Sequence, residues 1–477
     1  DAIKSIAIIY QSMYHNVKSK DIRVFACEHP SFPCLLRVDT LTKLTHLFIK
    51  SGTNDYKTKL ISENLEANIL WLNGILSNHL ENKIPLNNET ILNHLCILYY
   101  EQIELQKNVM HCICRNYLIY DEEFGTLFKK ITKLSLQEYF YLCFVMIAYL
   151  NNNPPFFYKN KLLKIAQEGR IPYCSASSLN TFIEHISIDY AGYREKINLN
   201  NNFMPIQEYP IIKTVEQGQK LYIVPVPPYL IEKVYNGIFF DFEKAFASKI
   251  KFREKFGQVF EKYVGKFIEY YAPQADIRPE KAMTYIKNRS NADFADWTII
   301  EKDIAYIVEV KSVMMPLSDI YNTTTTAFVR KHIIKAYKQI ITKINDINRY
   351  DELAFLRNKT IIPIIVFRNI PYINSKLFYN MVINDTLEAY IAENPEEKFI
   401  KDYLYEKKIF TFNIDEFEYY WINRNNIQIK ELFEEATEDS SESITSIMNK
   451  QTDIIHNNSL FDEIFEKIIP IKELKSY

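Results

Sequence analysis

At 477 residues, 47% hydrophobic and 14% aromatic, the chain is long and apolar enough to bury the cores of roughly two or three domains. Its formal net charge of −2 excludes a globally basic nucleic-acid binder, so any such binding must use a local patch. Seven cysteines without regular spacing argue against a disulfide scaffold and for a reducing cytoplasm, and nine glycines favour helices and regular strands over loops. Residues 1–200 read as a mainly helical domain, with a short strand expected at 21–26. Residues 60–76 carry Leu65, Ile69, Leu72 and Leu76 at helical spacing. Similar patterns recur at 91–103, 136–150 and, after the breaker Asn151-Asn152-Asn153-Pro154-Pro155, at 161–168. The uncharged apolar run 139–150 is too short for a membrane span, which needs roughly 20 residues, and reads as a buried core helix. No signal peptide is visible, so a soluble, cytoplasmic chain with no membrane contact is expected. Three Cys/His groups (Cys27, His29 and Cys34; His94 and Cys96; His111, Cys112 and Cys114) lack the C-x2-C pairing of structural zinc sites and read as core cysteines. Without chemistry of its own, this domain is expected to sense, recognise or scaffold, through a protein partner or a second copy of the chain.

Residues 201–250 read as a connector. Asn200 to Asn202 and Pro205 form a linker; 209–215 and 220–226 flank Glu216-Gln217-Gly218-Gln219 as a β-hairpin; and Pro225, Pro227 and Pro228 end it. Residues 229–271 are helical, with a break expected near Asn236-Gly237 or Ser248. In the last part of this region Phe260, Val264, Phe267 and Tyr271 make the apolar stripe, while Glu261 shares a face with Val264 and Ile268. Its carboxylate is thereby placed at the margin of the buried side.

The densest chemistry lies at 290–312, S-N-A-D-F-A-D-W-T-I-I-E-K-D-I-A-Y-I-V-E-V-K-S. Two apolar runs, 297–300 and 304–308, flank the polar turn Glu301-Lys302-Asp303 and predict a hairpin. Asp296 opens its first strand, and Glu309 and Lys311 close the second; two apart, these share a face while Val310 points to the other. Charges so placed are costly to bury unless paired, and a divalent cation with a phosphate would pair them. Glu-x-Lys also occurs at 81–83, 396–398, 406–408 and 473–475, but only Glu309-Lys311 ends a β-type run with a carboxylate heading the partner strand. Asp293 is a second candidate for that carboxylate; Asp296 is preferred because the apolar run follows it directly.

An Asp, a hydrophobic hairpin and then Glu-x-Lys resembles the PD-(D/E)XK, or restriction-endonuclease-like, nuclease superfamily, with Ala295 where the family pattern has proline. G-x-x-F-E-x-Y-V around Glu261 resembles the helix glutamate that often precedes the core sheet in that superfamily. The resemblance spans roughly residues 252–368, about a quarter of the chain. It implies a metal site of Asp296, Glu309 and the Val310 carbonyl, with Glu261 as a helper or second-metal ligand. It further implies Mg2+ (with Mn2+ as substitute), Lys311 orienting or deprotonating the water, and products ending in 5′-phosphate and 3′-hydroxyl.

Residues 326–347 form a strong helix with Ile333, Tyr337, Ile340 and Ile344 on one side and Arg330, Lys331, Lys335, Lys338 and Lys343 on the other. Gln339 shares a face with Lys335, and a basic helix after the Glu-x-Lys strand recurs in the superfamily, so Arg330, Lys331, Lys335, Lys338 and Gln339 are the expected nucleic-acid contacts. Residues 360–367 read as a buried strand whose Pro363 argues for a sheet edge or a bulge. A strand at 409–414 and a helix from Asp415 follow. The acidic stretch 434–443 reads as a disordered loop, and a short amphipathic helix at 460–469 is N-capped by Ser459.

The expected organisation is thus a mainly α-helical domain (1–200), a connector (201–250), an α/β nuclease core with a central mixed sheet flanked by helices (251–430), and an acidic loop with a C-terminal helix (431–477). The expected function is a Mg-dependent endonuclease, on DNA before RNA, in a restriction or antiviral-defence setting. The alternative is a catalytically inactive nuclease fold that binds nucleic acid or protein. Repulsion between Asp296 and Glu309 in the metal-free protein predicts that Glu309→Gln is stabilising.

Overall fold

The computed structural model describes residues 3–4, 6–7, 38–51, 108–197, 205–287, 289–314, 325–369, 383–406, 409–424 and 458–469. The expected elements at 21–26, 60–76 and 91–103, the Cys/His groups at 27–34 and 94–96, the linker at 200–202 and the acidic stretch at 434–443 lie outside them. The chain forms two compact units, Asp1–Leu86 with Tyr100–Phe252 and Phe461–Tyr477, and Asn87–Tyr99 with Arg253–Leu460.

In the first unit the described helices are α1 (Val38–Ser51), α2 (Val109–Thr132), α3 (Leu136–Asn152), α4 (Lys159–Gln167), α5 (Ala176–His185), α6 (Tyr190–Lys196), α7 (Pro228–Glu232) and α8 (Ile238–Ala245), the last two joined by a π-helical turn, Lys233–Gly237. The Asn108 side chain caps α2 by accepting from the Met110 and His111 N–H groups, and Lys133 ends it in the left-handed region at φ 65°. Ser135 and Glu138 then open α3 with a reciprocal capping box. The run 139–150 is indeed a core helix segment, and its Tyr139 meets Phe128 of an aromatic cluster in which Tyr120, Phe124 and Phe128 pack on Phe242. Cys112 and Cys114 are buried within α2, the Cys114 thiol facing the Phe461 carbonyl at 3.2 Å.

The expected hairpin is present as β3 (Ile211–Glu216) and β4 (Gln219–Ile223), turning through Gln217 and Gly218 at φ 50° and 73°. Two consecutive positive φ values match the twist of the flanking strands, and glycine adopts one of them without cost. The hairpin does not stand apart as a connector. Two three-residue strands, β1 (Phe156–Tyr158) and β2 (Ser187–Asp189), pair with its outer edges to give a sheet ordered β1-β4-β3-β2. Edge hydrogen bonding outweighed the linker-like composition before it, and the first unit is helical with a four-stranded sheet.

The chain passes into the second unit along α9, Lys249–Tyr271, after the expected break at residues 246–248. There β5 (Asp276–Pro279), a hairpin of β6 (Thr284–Lys287) and β7 (Ser290–Asp293), and β8 (Trp297–Glu301) with β9 (Ile304–Met314) follow. After a short helix α10 (Thr325–Phe328) and a π-helical segment, Val329–Ile334, come α11 (Lys335–Arg349), β10 (Thr360–Asn369), α12 (Asp385–Glu393), α13 (Phe399–Glu406), β11 (Phe410–Asn413) and α14 (Ile414–Asn423). The central sheet is mixed, ordered β11-β10-β9-β8-β5, with β9, β10 and β11 parallel and β8 antiparallel to both β9 and β5.

Strand β10 lies inside this sheet, which corrects the edge expected from Pro363. Pairing with β11 begins only at Ile364, so Pro363 falls where β10 has β9 alone beside it and needs no second ladder bond. The register irregularity comes later, between Phe367 and Asn369. Ala305, Ile307, Ile365 and Phe367 pack on one face of the sheet against Ile333, Tyr337, Ile340 and Ile344. Near the C-terminus, α15 (Ser459–Ile468) buries Phe461, Phe465 and Ile468, the amphipathic face expected of it. No described helix is long and apolar enough to cross a membrane.

Candidate active site

The β8–β9 register pairs Trp297 with Val308, so the next residues outward, Asp296 and Glu309, are cross-strand neighbours at the open end of the hairpin. Asp296 is tied there by its Oδ2, which accepts the Val310 N–H at 2.6 Å. Asp293, the other candidate, is exposed on β7 opposite Thr284 and is not in the group of converging carboxylates. Lys311 lies on the Glu309 face, as period-two alternation requires, and donates from Nζ to Glu309 Oε2 at 2.8 Å. Lys343, from α11, approaches the other oxygen, Oε1, at 3.0 Å. Glu309 is 2% exposed, so its charge is buried but faced by two ammonium groups.

Glu261 is half-buried on α9. The backbone carbonyl of the same residue accepts the Trp297 indole N–H at 3.2 Å, fixing the helix against the residue that follows Asp296. Gly265, one turn on, allows this approach: a Cβ there would lie 2.0 Å from the Trp297 ring. Carboxylate oxygens of Glu261, Asp296 and a third residue, Glu280, all lie within 4.8 Å of one another. Glu280 was not a candidate in the sequence. It follows β5, whose Pro279 pairs with Trp297, and its N–H donates to the Asp296 carbonyl at 3.0 Å. The carboxylates closest to sharing a cation are therefore Glu261, Glu280 and Asp296, with Glu309 beside them and turned toward lysines. Val310 contributes its N–H to Asp296.

The electrostatics follow from this crowding. Burial, then Glu309, push the Asp296 carboxyl up to about 6 against the opposing pull of Lys311, the Val310 N–H and Lys343. Burial, then Asp296, Glu280 and Glu309, raise Glu261 to about 7. Burial works against the Lys311 ammonium, but Glu309 and then Asp296 outweigh it and hold its pKa above the ordinary value. A divalent cation among Glu261, Glu280 and Asp296 would relieve the repulsion that raises the two carboxyls, so the donor set fits a hard cation such as Mg2+.

A pH dependence follows. Between the ordinary carboxylate range, about 4, and the raised values, the folded protein holds protons that the unfolded chain has released. Its stability therefore falls as pH rises through that window, which ends at about 7 for Glu261. Thermal melts in chelator at successive pH values are expected to show this decline and to flatten in Asp296→Asn. An equal slope in parent and variant would contradict the assignment.

Lys343, which meets Glu309, also lines a cleft of about 570 Å³ walled by the β6–β7 hairpin and the α11 side of the unit. Arg330, Lys331, Lys335, Lys338 and Gln339 all line it, so the five residues expected to contact nucleic acid do share one surface. Lys287, Lys343, Tyr285 and Tyr390 join them. Arg330 pairs with Glu393 and Lys338 with Glu397, whereas Lys331 and Lys335 are exposed and carry no ion pair among the described residues. Tyr285 and Lys287 reach from the hairpin to the buried Asp346 carboxylate at 2.6 and 2.5 Å, pinning that wall to α11.

Comparison with protein-family models, curated proteins and solved structures finds no match to this chain.

Proposed function

We propose that the second unit is a metal-dependent nuclease that hydrolyses phosphodiester bonds, acting on DNA in preference to RNA. The observation that carries this reading is the meeting of Asp296, Glu309 and Lys311 at one hairpin end, on a mixed sheet, with a cationic cleft alongside. A hairpin closing on acidic residues is common; one whose Glu309 meets Lys343, itself part of the lining of a basic cleft, suits a polyanion.

In this reading Asp296, Glu261 and Glu280 hold Mg2+, with Glu309 and the Val310 carbonyl completing its surroundings. Bound there, the cation supplies charge neutralisation at the phosphate and a more acidic water. The Val310 N–H keeps Asp296 aimed at the cation position. Lys311, held protonated by Glu309 and Asp296, stabilises charge gathering on the phosphate oxygens and orients the attacking water, rather than removing a proton from it. The cleft lysines fix the backbone and contribute binding more than chemistry. The first unit serves recognition or control through a protein partner or a second copy, a combination suited to restriction or antiviral defence.

A second reading draws on the two lysines that cover Glu309, which suit an inactive fold retained as a nucleic-acid or protein binding module. Incubation with Mg2+ or Mn2+ and plasmid, linear duplex, single-stranded DNA and RNA separates the two. Divalent-dependent cleavage of any of these supports the nuclease, and binding without cleavage of all of them retires it.

The cleft carries its own test. Because Lys335 has no ion pair to release among the described residues, each phosphate it meets frees counterions, and Lys335→Ala is expected to flatten the log–log salt dependence of DNA binding by about 0.9. An unchanged slope would return Lys335 to the solvated surface.

A further inference from the structure

Lys335, Gln339 and Lys343 are spaced four residues apart on α11, which puts all three on one helix face, and all three line the basic cleft. The last of them is the one that leaves the cleft lining to meet a carboxylate of the site. Its Nζ lies 3.0 Å from Glu309 Oε1, yet that oxygen receives no hydrogen bond among the described residues. Lys311, by contrast, donates a formed hydrogen bond to Oε2 at 2.8 Å. Of the two ammonium groups on Glu309, Lys343 is held by charge alone, has 18% of its side chain exposed, and stands on a flexible stem.

We infer that Lys343 is a latch that couples substrate to cation: a phosphate entering the cleft draws its ammonium off Glu309 and frees that carboxylate to complete the cation site. The inference rests on the nuclease reading of the same site. While Lys343 stays on Glu309, a cation must rely on Glu261, Glu280 and Asp296 and meets a cationic neighbour. Once a phosphate oxygen accepts Lys343, that positive charge is neutralised and Glu309 Oε1 is released beside Asp296. The coupling is reciprocal, since whatever favours the cation also loosens Lys343 toward the phosphate. The ligand chemistry is a phosphate anion; its source is a nucleic-acid backbone or the free ion.

The test is calorimetric titration of Mn2+ into the full chain alone, with inorganic phosphate, and with a phosphorothioate duplex oligodeoxynucleotide that keeps the backbone charge and resists hydrolysis. In the parent, the duplex is expected to tighten Mn2+ binding about tenfold or more, with inorganic phosphate giving the smaller part if the backbone is the source. Lys343→Gln is expected to bind Mn2+ without duplex about as tightly as the parent does with it, leaving a duplex effect under about threefold. Lys343→Arg, which keeps the charge, should behave as the parent and controls for folding. Equal Mn2+ affinity in parent and Lys343→Gln, with the same duplex effect, overturns the latch and leaves the cation site standing. Mn2+ binding that Asp296→Asn does not weaken overturns the cation site itself, and the latch with it.

Discussion

Glu309→Gln is expected to abolish cleavage and to lower the stability of the second unit by about 2–4 kcal/mol, the order lost when one member of a buried ion pair is removed. The sequence argues the opposite sign for stability, because it weighs the repulsion between Asp296 and Glu309 and shows neither how closely Lys311 meets Glu309 nor that Lys343 reaches it. The structure adds two attractions to that one repulsion: Lys311 at 2.8 Å and Lys343 at 3.0 Å both face the 2%-exposed carboxylate. Neutralising Glu309 takes the nearest counter-charge from two ammonium groups, 21% and 18% exposed, and leaves Asp296 as the main remaining one. Their residual contact with water keeps the expected loss toward the low end of what a fully buried pair would give. Denaturant melts in chelator measure this directly. A variant as stable as the parent, or more stable, would mean that the lysines contribute little and that carboxylate repulsion dominates.

Gly265→Ala is expected to destabilise the unit by about 2–3 kcal/mol, although alanine is the better helix former by about 1 kcal/mol. The added Cβ would sit 2.0, 2.4 and 2.5 Å from three atoms of the Trp297 ring, a buried indole anchored at its N–H to the Glu261 carbonyl. Neither helix nor ring can yield without disturbing the other. Because Trp297 directly follows Asp296 and Glu261 lies one turn before Gly265, the same displacement separates two of the proposed cation ligands. Activity should fall further than stability, by about a hundredfold, the scale of a misplacement near 1 Å. Gly257→Ala, earlier on the same helix, is the control: among the described residues its Cβ meets only Ser312 Oγ, at an ordinary 3.5 Å. There the helix propensity should prevail and stability should rise by about 0.5–1 kcal/mol. Matching responses at the two glycines would contradict the close packing at Gly265.

Where a signal was periodic, the sequence made it legible. The β8–β9 hairpin, the half-buried position of Glu261 and the two-sided character of α11 all follow from spacing, since burial on one face imposes period 2 or 3.6 on residue type. Glu280 escaped because β5 reads D-I-R-P, an edge strand with no fully buried residue, formed by pairing with β8 rather than by an apolar face. The same holds for β1 and β2, three residues each, and for the polar β6–β7 hairpin that walls the cleft. Lys343 was visible as one of several helix cations, but its approach to Glu309 depends on how α11 packs on the sheet. No local pattern encodes that distance.

These carboxylates, this lysine and this cleft are proposed to form a working phosphodiesterase. The most direct test is single-turnover cleavage of end-labelled DNA by the parent, Asp296→Asn and Glu309→Gln, with Mg2+ and with chelator, mapping the ends of every product. Fragments with 5′-phosphate and 3′-hydroxyl ends are expected from the parent with Mg2+ alone, and none from either variant or in chelator. Cleavage that persists in Asp296→Asn, or a parent that binds DNA and cuts nothing under any of these conditions, would contradict the proposal.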